Sequence, residues 1–484
     1  MEYAAHGISR SHMFDLTKNF IPNIVKKIHL IAICGTGMGA LACMFKDMGF
    51  EVTGSDKSIY PPMSSFIENK GIKIFDGFNE KNISPETDLV VVGNAVRKDN
   101  VEVLTTNKMG LNFCSMPQAV NRFIAAGKKA LLITGTHGKT TTSSILAWVL
   151  YKGKLDPSFI IGGILNNFNS NYRYGRGGYV VIEGDEYDTA FFDKGAKFFH
   201  YKPLMTVLTS VEFDHADIFT DINHVNKTFD SLIFRLPEKS SLFACNEDNN
   251  VKQLIKKKTN CRIFTYGANA FWSLGSVEIK PPWTKFDVLK SGKYFGTFKT
   301  KLMGRHNLLN ILSVVAVAND LSIDKKIIKT ALETFKGIKR RQEVRGSIDG
   351  VTIMDDFAHH PTAVKETVKA VKPYFPEGRV IAVFEPRTNS SMRKVFQNIY
   401  PLSFDQADII CIRQPPLLSK IPENDRFSSK KLVGDLKKRG LKAFYFTDTK
   451  AIIDYIQKIA KPGDLVLIMS NGGFDNIHDR LLKK

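Results

Sequence analysis

Three things are missing from this chain of 484 residues, and each absence removes a class of function. No apolar run approaches the roughly 18 residues that a membrane-spanning helix needs. The opening stretch, residues 1–27, mixes charged and polar groups without the apolar core of a signal peptide, and Met13 offers an alternative start. The six cysteines, at 34, 43, 114, 245, 261 and 411, lack the paired spacing of a zinc ligand set or a disulfide framework. A reduced, cytoplasmic protein with no membrane partner is the expectation. Internal repeats and low-complexity segments are absent too.

Acidic residues are also short in number, 48 Asp and Glu against 68 Lys and Arg, which leaves a net charge of +20. Such a balance suits nucleic acid, or a lysine-rich surface with sites for small anions. The lysines are spread along the chain, runs are as short as Lys256-Lys257-Lys258, and aromatics do not interleave with them as a stacking platform would require. Small anionic substrates are therefore expected and nucleic acid is not. The length predicts two to four domains, and 43% hydrophobic with 24% charged residues is ordinary for globular ones.

What is present centres on Gly135-Thr136-His137-Gly138-Lys139-Thr140-Thr141-Thr142. The apolar run Ala130 to Ile133 before it reads as a buried strand, and Ile145, Leu146, Val149 and Leu150 after it fall at helix spacing. Strand, glycine turn and helix start together make a phosphate cradle, because the first-turn N–H groups of the helix point at an anion. Lys139 supplies charge for the terminal phosphates, and the Thr140 hydroxyl is placed for Mg²⁺. A Walker A loop would carry glycine where Ile133 stands, so this is a shortened version.

A second glycine turn, Gly35-Thr36-Gly37-Met38-Gly39, follows the apolar stretch 28–33 and precedes a strand ending at Asp56. That unit suits a diphosphate on a helix N-terminus with Asp56 near a ribose; NAD and a UDP-sugar satisfy it equally. The apolar stretch 89–92 ends in a turn at Gly93-Asn94. Tyr179 to Ile182 reads as a strand ending in the carboxylate cluster Glu183 to Asp188, which suits Mg²⁺ or a solvated acidic loop. Thr206 to Thr209 is a further strand that leads to Asp214-His215. Later come His306-Asn307 and Asn310, the basic stretch Gly337 to Glu343, and Asp356-Phe357-Ala358-His359-His360-Pro361. Strand–helix alternation follows, with strands over 379–384, 407–411 and 464–469.

Taken together and in this order, these motifs resemble the Mur ligase family, the ATP-dependent amide-bond ligases of peptidoglycan synthesis. The likeness runs from about residue 28 to the end. It implies an α/β protein of three domains after an extension over 1–27: a Rossmann-like UDP-sugar-binding domain at 28–125, a central P-loop ATPase at 126–336 and a C-terminal Rossmann-like domain at 337–484. The Gly35-Thr36-Gly37-Met38-Gly39 turn and the His-His-Pro motif resemble the branch that joins L-alanine to UDP-N-acetylmuramate. Four stretches (60–64, 213–219, 385–389 and 469–474) are similar to enzymes that attach the murein tripeptide L-Ala-γ-D-Glu-meso-diaminopimelate, in recycling; L-alanine addition is the alternative.

The resemblance implies roles residue by residue. Gly135, Thr136, His137, Gly138, Lys139, Thr140, Thr141, Asn307, Asn310, Arg341 and Asp356 would bind ATP. Thr140, Glu183 and His215 would hold Mg²⁺, and Lys139, Glu183, His215 and Arg341 would serve catalysis, with His359 orienting or deprotonating the amine. Gly35, Thr36, Gly37, Met38, Gly39, Asp56 and Asn94 would face the UDP-sugar. Arg387, Asn389, Ser470 and Asn471 would face the peptide. Some family members carry a carbamoylated lysine about fourteen residues after the equivalent of His215; Phe229 stands there and Lys227 is offset, so no such bridge is expected. The oligomeric state is left open.

Overall fold

The computed structural model describes residues 14–257 and 259–483. Much of the expected extension, Met13 included, lies outside the described residues.

Three main sheets carry the chain. The first is parallel, in the order Lys73–Asp76, Glu51–Asp56, Lys27–Ile31, Leu89–Val92, Phe113–Ser115. The order reverses between Lys27–Ile31 and Leu89–Val92, which opens a crevice at their carboxyl ends. The strand expected to reach residue 33 stops at Ile31, because Ala32 turns left-handed (φ 64°) to start the glycine loop.

The central sheet has ten strands. Its strand Lys129–Thr134 is flanked in parallel by Tyr179–Gly184 and Met205–Leu208. Full burial of these apolar runs is what a doubly covered parallel sheet requires, and Leu131, Leu132 and Ile133 are all within 1% of fully buried. Trp272–Lys280, Trp283–Lys290 and Lys293–Thr300 extend one edge as an antiparallel meander. Helices Lys139–Lys152 and Arg305–Asp320 pack on the same face through Leu146, Leu150, Leu312 and Val315.

The third sheet runs Glu343–Ile348, Val351–Asp356, Leu465–Met469, Val380–Phe384, Ile409–Arg413, Ala443–Phe446, parallel except at its first strand. The strand expected over 407–411 is displaced to Ile409–Arg413. The Ala407 N–H closes a turn onto Phe404, and the Asp408 carboxylate is held by Lys372 at 2.7 Å and the Val380 N–H at 2.7 Å.

Between the first two units, helix Thr36–Asp47 packs against strands Ser158–Leu165 and Ser170–Arg173, and one apolar cluster runs through both. Phe229 lies in that cluster, fully buried, with its ring 5.6 Å from that of Phe198. It is a core residue with no room for a charged side chain. Phe229→Ala should lower stability by ~3–5 kcal/mol, read as a shift of the urea midpoint, and Phe229→Lys should be at least as damaging because it buries an unpaired charge.

Candidate functional site

The phosphate loop is shaped by two glycines for which no other residue would serve. Gly135 (φ 124°) and Gly138 (φ 82°) both sit in the left-handed region. A Cβ on Gly135 would collide with the Thr209 hydroxyl, and one on Gly138 would come 2.6 Å from Asn310 Oδ1. Loop residues are also tied to the neighbouring strand's loop: the Thr136 N–H donates to the Ser210 carbonyl (2.9 Å) and the His137 N–H to Ser210 Oγ (3.0 Å). Helix Lys139–Lys152 then starts without a side-chain cap, so its first-turn amides face the loop's concavity.

Lys139 folds back into this loop. Its ammonium donates to the Gly135 carbonyl at 2.7 Å and to Glu186 at 2.8 Å, with Asp185 3.9 Å away. Burial alone would depress its pKa, but the two carboxylates outweigh that and hold it above the usual lysine value. Asp185 is in turn held by Lys197 at 2.9 Å and by the Tyr187 hydroxyl at 2.9 Å. Burial would raise the Asp185 pKa, yet Lys197 and Lys139 bring it down to about 2.

Glu183 is the exception in this cluster. Its Oε1 is buried without a hydrogen-bond partner. Burial first, and the charge of Asp185 second, push its pKa up to about 7, against weaker opposition from the Gly162 backbone, Lys139 and the Thr140 hydroxyl. An orphaned carboxylate oxygen beside a threonine hydroxyl fits a hard divalent cation that takes oxygen ligands. His215, left-handed at φ 53°, places Nε2 3.8 Å from Glu186 Oε1, and its ring rests on Tyr187 at 4.7 Å. The carboxylate it meets is Glu186; the cation site that the resemblance implies for Glu183 and His215 together stays a proposal.

The third unit closes over this floor through the basic stretch. Arg340 and Gln342 are both left-handed (φ 61° and 48°), which aims Arg341 inward over the Phe357 ring at 4.7 Å. Burial lowers the Arg341 pKa, opposed by Asp356 and Glu183. Asp356 braces the turn, accepting from the N–H groups of Gln342 and Ala358 at 2.8 Å each. Gln342 Oε1 accepts from Asn307 at 3.1 Å, and Asn310 Nδ2 donates to Asn307 Oδ1 at 3.3 Å, so the two asparagines are linked to that turn. His359 stands 4.0 Å from Asp214; burial keeps its pKa below the usual value although Asp214 pulls the other way.

The two outer subsites are less compact. In the first unit, Asp56 accepts from the Cys34 N–H (2.9 Å) and the Ser58 N–H (3.0 Å), so it fixes the glycine loop. Thr36 there accepts at its carbonyl from Asn171 of the central unit (3.1 Å). A Cβ on Gly37 or Gly39 would press on Met116 (2.9 Å) or Met63 (2.6 Å), Met38 is buried, and Asn94 is exposed nearby in sequence to the closely packed Gly93. In the third unit, Ser470 Oγ donates to Glu385 at 2.7 Å, Asn471 Oδ1 is buried without a partner, and Arg387 Nη1 lies 3.6 Å from Glu385. Asn389 donates to Asp217 of the central unit at 3.1 Å.

Sequence reasoning did not single out Glu186, Lys197, Glu212 or Gln342. Glu186 and Gln342 stand inside the stretches 183–188 and 337–343, and Glu212 stands two residues before Asp214-His215; Lys197 carries no pattern of its own and matters only because the fold brings it to the loop.

Comparison with known proteins covers most of the chain, in all three units. The family models described as Mur ligase family catalytic domain, Mur ligase middle domain, and Mur ligase glutamate ligase domain match residues 27–128, 133–318 and 340–472 in turn. The chain is 36% identical, over 94% of its length and 97% of the relative's, to UDP-N-acetylmuramate–L-alanyl-γ-D-glutamyl-meso-2,6-diaminoheptandioate ligase of Escherichia coli. It is 33% identical, over 95% and 98%, to UDP-N-acetylmuramate–L-alanine ligase of Clostridium tetani. The crystal structure of a murein peptide ligase from Psychrobacter arcticus superposes with a TM-score of 0.70 at 31% identity, covering 94% of this chain and 98% of that one.

Lys197 supports both sides of the floor, Asp185 through its ammonium and the His215 ring through Tyr187, over whose ring it lies at 4.2 Å. Lys197→Met should cut turnover by about 10–100-fold, the usual effect of removing a group that orients ligating residues. Lys197→Arg should recover part of it. Steady-state rates beside thermal unfolding check this: an unchanged rate in Lys197→Met would show that the ion pair only serves folding.

Proposed function

The chain belongs to the Mur ligase family, and on that premise we propose that it joins the tripeptide L-Ala-γ-D-Glu-meso-diaminopimelate to UDP-N-acetylmuramate at the cost of ATP, in peptidoglycan recycling. The observation that carries the ligase reading is the orphaned Glu183 oxygen beside the Lys139–Thr140 loop, with Arg341 above it. The relative's tripeptide-ligase name supports this acceptor over L-alanine.

In this reading the lactyl carboxylate attacks the γ-phosphorus of ATP, ADP leaves, and an acyl phosphate forms. The tripeptide's α-amine then attacks the acyl carbon and phosphate departs. Lys139 leaves its carboxylate partners to stabilise charge on the transferring phosphoryl group, which is worth most in a site closed to water. Arg341 and Asp356 bring the third unit down onto the nucleotide, and Asn307 and Asn310 line its base side. His359, whose pKa burial holds below the usual value against the pull of Asp214, would orient the amine or take its proton. Thr140, Glu183 and His215 would hold Mg²⁺, which neutralises phosphate charge when bound. The UDP-sugar would sit on Gly35–Gly39 with Asp56 holding that loop, and Arg387, Asn389, Ser470 and Asn471 would receive the peptide. The six unpaired cysteines suit a reducing compartment, and we place the protein in the cytoplasm. Among the described residues no helix is long and apolar enough to cross a membrane.

Phosphate release from ATP with UDP-N-acetylmuramate and, in turn, the tripeptide, L-alanine or no amine tests the assignment. The tripeptide should be used well and L-alanine poorly; equal or better use of L-alanine would make this an alanine-adding enzyme. Lys139→Ala should lower turnover by on the order of 10²–10³ with the fold retained, and Lys139→Arg should not restore it, because a planar fork does not fit the turn.

A further inference from the structure

A second cluster of ligating side chains uses none of the residues that would hold Mg²⁺ at Glu183. His137 belongs to the phosphate loop, Glu212 follows strand Met205–Leu208, and His360 caps helix Pro361–Val371 of the third unit. One ligand atom from each lies within 4.8 Å of the other two. His137 Nε2 is 3.3 Å from Glu212 Oε2, and His360 Nδ1 is 3.6 Å from the same oxygen. Two donors on a tetrahedral Zn²⁺, at bonds of about 2.0–2.1 Å, stand about 3.3 Å apart, so both edges are near the span that an ion sets.

The surroundings are those of a ligating histidine. His360 Nε2 lies 3.1 Å from the Phe213 carbonyl, which can only accept, so Nε2 carries the proton and Nδ1 turns its lone pair to the cluster. The Thr362 hydroxyl donates to Glu212 Oε2 at 2.7 Å and orients the carboxylate. The Thr362 N–H is the other group facing Nδ1, at a long 3.3 Å that an ion would displace.

We propose that His137, Glu212 and His360 form a binding site for a divalent transition-metal ion of the Zn²⁺ class, built from none of the residues that would hold Mg²⁺ at Glu183. Two imidazoles and a carboxylate favour such an ion over Mg²⁺, which prefers oxygen ligands and water. Because His360 comes from the third unit, the ion crosslinks that unit to the phosphate loop. Zn²⁺ should therefore inhibit turnover even with Mg²⁺ saturating, since products leave only when the units part.

The full chain, stripped by a chelator and held in excess Mg²⁺, is titrated with Co²⁺ as a spectroscopic probe. One equivalent should bring up the visible bands of four-coordinate Co²⁺. Glu212→Gln and His360→Gln should lose them, whereas Glu183→Gln should keep them. Zn²⁺ should also raise the thermal midpoint of the unaltered protein under the same conditions, a readout that does not depend on any variant folding. Absence of both signals, bands that survive in His360→Gln, or bands lost in Glu183→Gln instead would overturn the site.

Discussion

One buried carboxylate has to stay uncommitted for this site to work, and most of the surrounding architecture serves that condition. Glu183, Asp185 and Glu186 all end the same strand or its loop, and two lysines reach them. Had either lysine paired with Glu183, the cluster would be quiet and without a place for a cation. Instead Lys139 goes to Glu186 and Lys197 to Asp185, while Glu183 keeps an unpartnered oxygen. An unmet buried carboxylate costs several kcal/mol if charged, which is why its pKa climbs to about 7 and why a divalent cation is a favourable addition. Sheet order makes this possible, because the phosphate strand sits between the two strands that deliver the carboxylates and His215.

The same economy shapes the seam between the central and third units. Arg340 spends its donors on backbone carbonyls, Ser470 at 2.6 Å and Gly472 at 2.7 Å, and so fixes the third unit's loop to the turn that carries Arg341. Two left-handed non-glycine residues around one arginine are a strained arrangement held by its neighbours. Asp356 supplies that hold by accepting from the Gln342 N–H with one oxygen, while the Ala358 N–H fixes the other. Its contribution in the ligand-free protein is therefore geometry. The nucleotide would meet a turn already set.

How much of this was legible in the sequence depends on whether local chemistry or tertiary contact decides. Glycines with positive φ, apolar parallel strands and the strand-end carboxylates are local requirements, so Gly135, Gly138, Lys139 and the cluster 183–188 were readable from residue type and spacing, while the choice of Glu183 within that cluster came from the resemblance. The resemblance added the order of the motifs and the first unit's choice of a UDP-sugar over NAD. What was not legible is which carboxylate each cation takes. Glu186 rather than Glu183 meets His215 because that histidine adopts φ 53°, and spacing does not encode it. Lys197 was invisible for a related reason: it comes from a short 3₁₀ turn, Lys197–His200, whose approach to Asp185 is set by packing of Phe198 beneath it. The displaced strand Ile409–Arg413 shows the same thing at the level of bounds, since side-chain capture of Asp408 decides where pairing begins.

Arg387 raises the question of whether an arginine beside an acid is already spent. Glu385 is fully buried and needs its charge met, but Arg413 takes one oxygen and Ser470 the other at 2.7 Å. The Arg387 contact of 3.6 Å is an ion pair without a hydrogen bond, so Glu385 positions the guanidinium and does not consume its donors. Gly472 matters for the same reason, because a Cβ there would overlap the guanidinium and force it out of place. A planar fork held from behind and about a third exposed is a suitable partner for a carboxylate arriving from outside. A tripeptide brings more than one such carboxylate, whereas L-alanine brings one close to the reacting amine. An arginine carried on a third-unit loop, beyond the carboxylate floor, thus has more to offer the longer substrate.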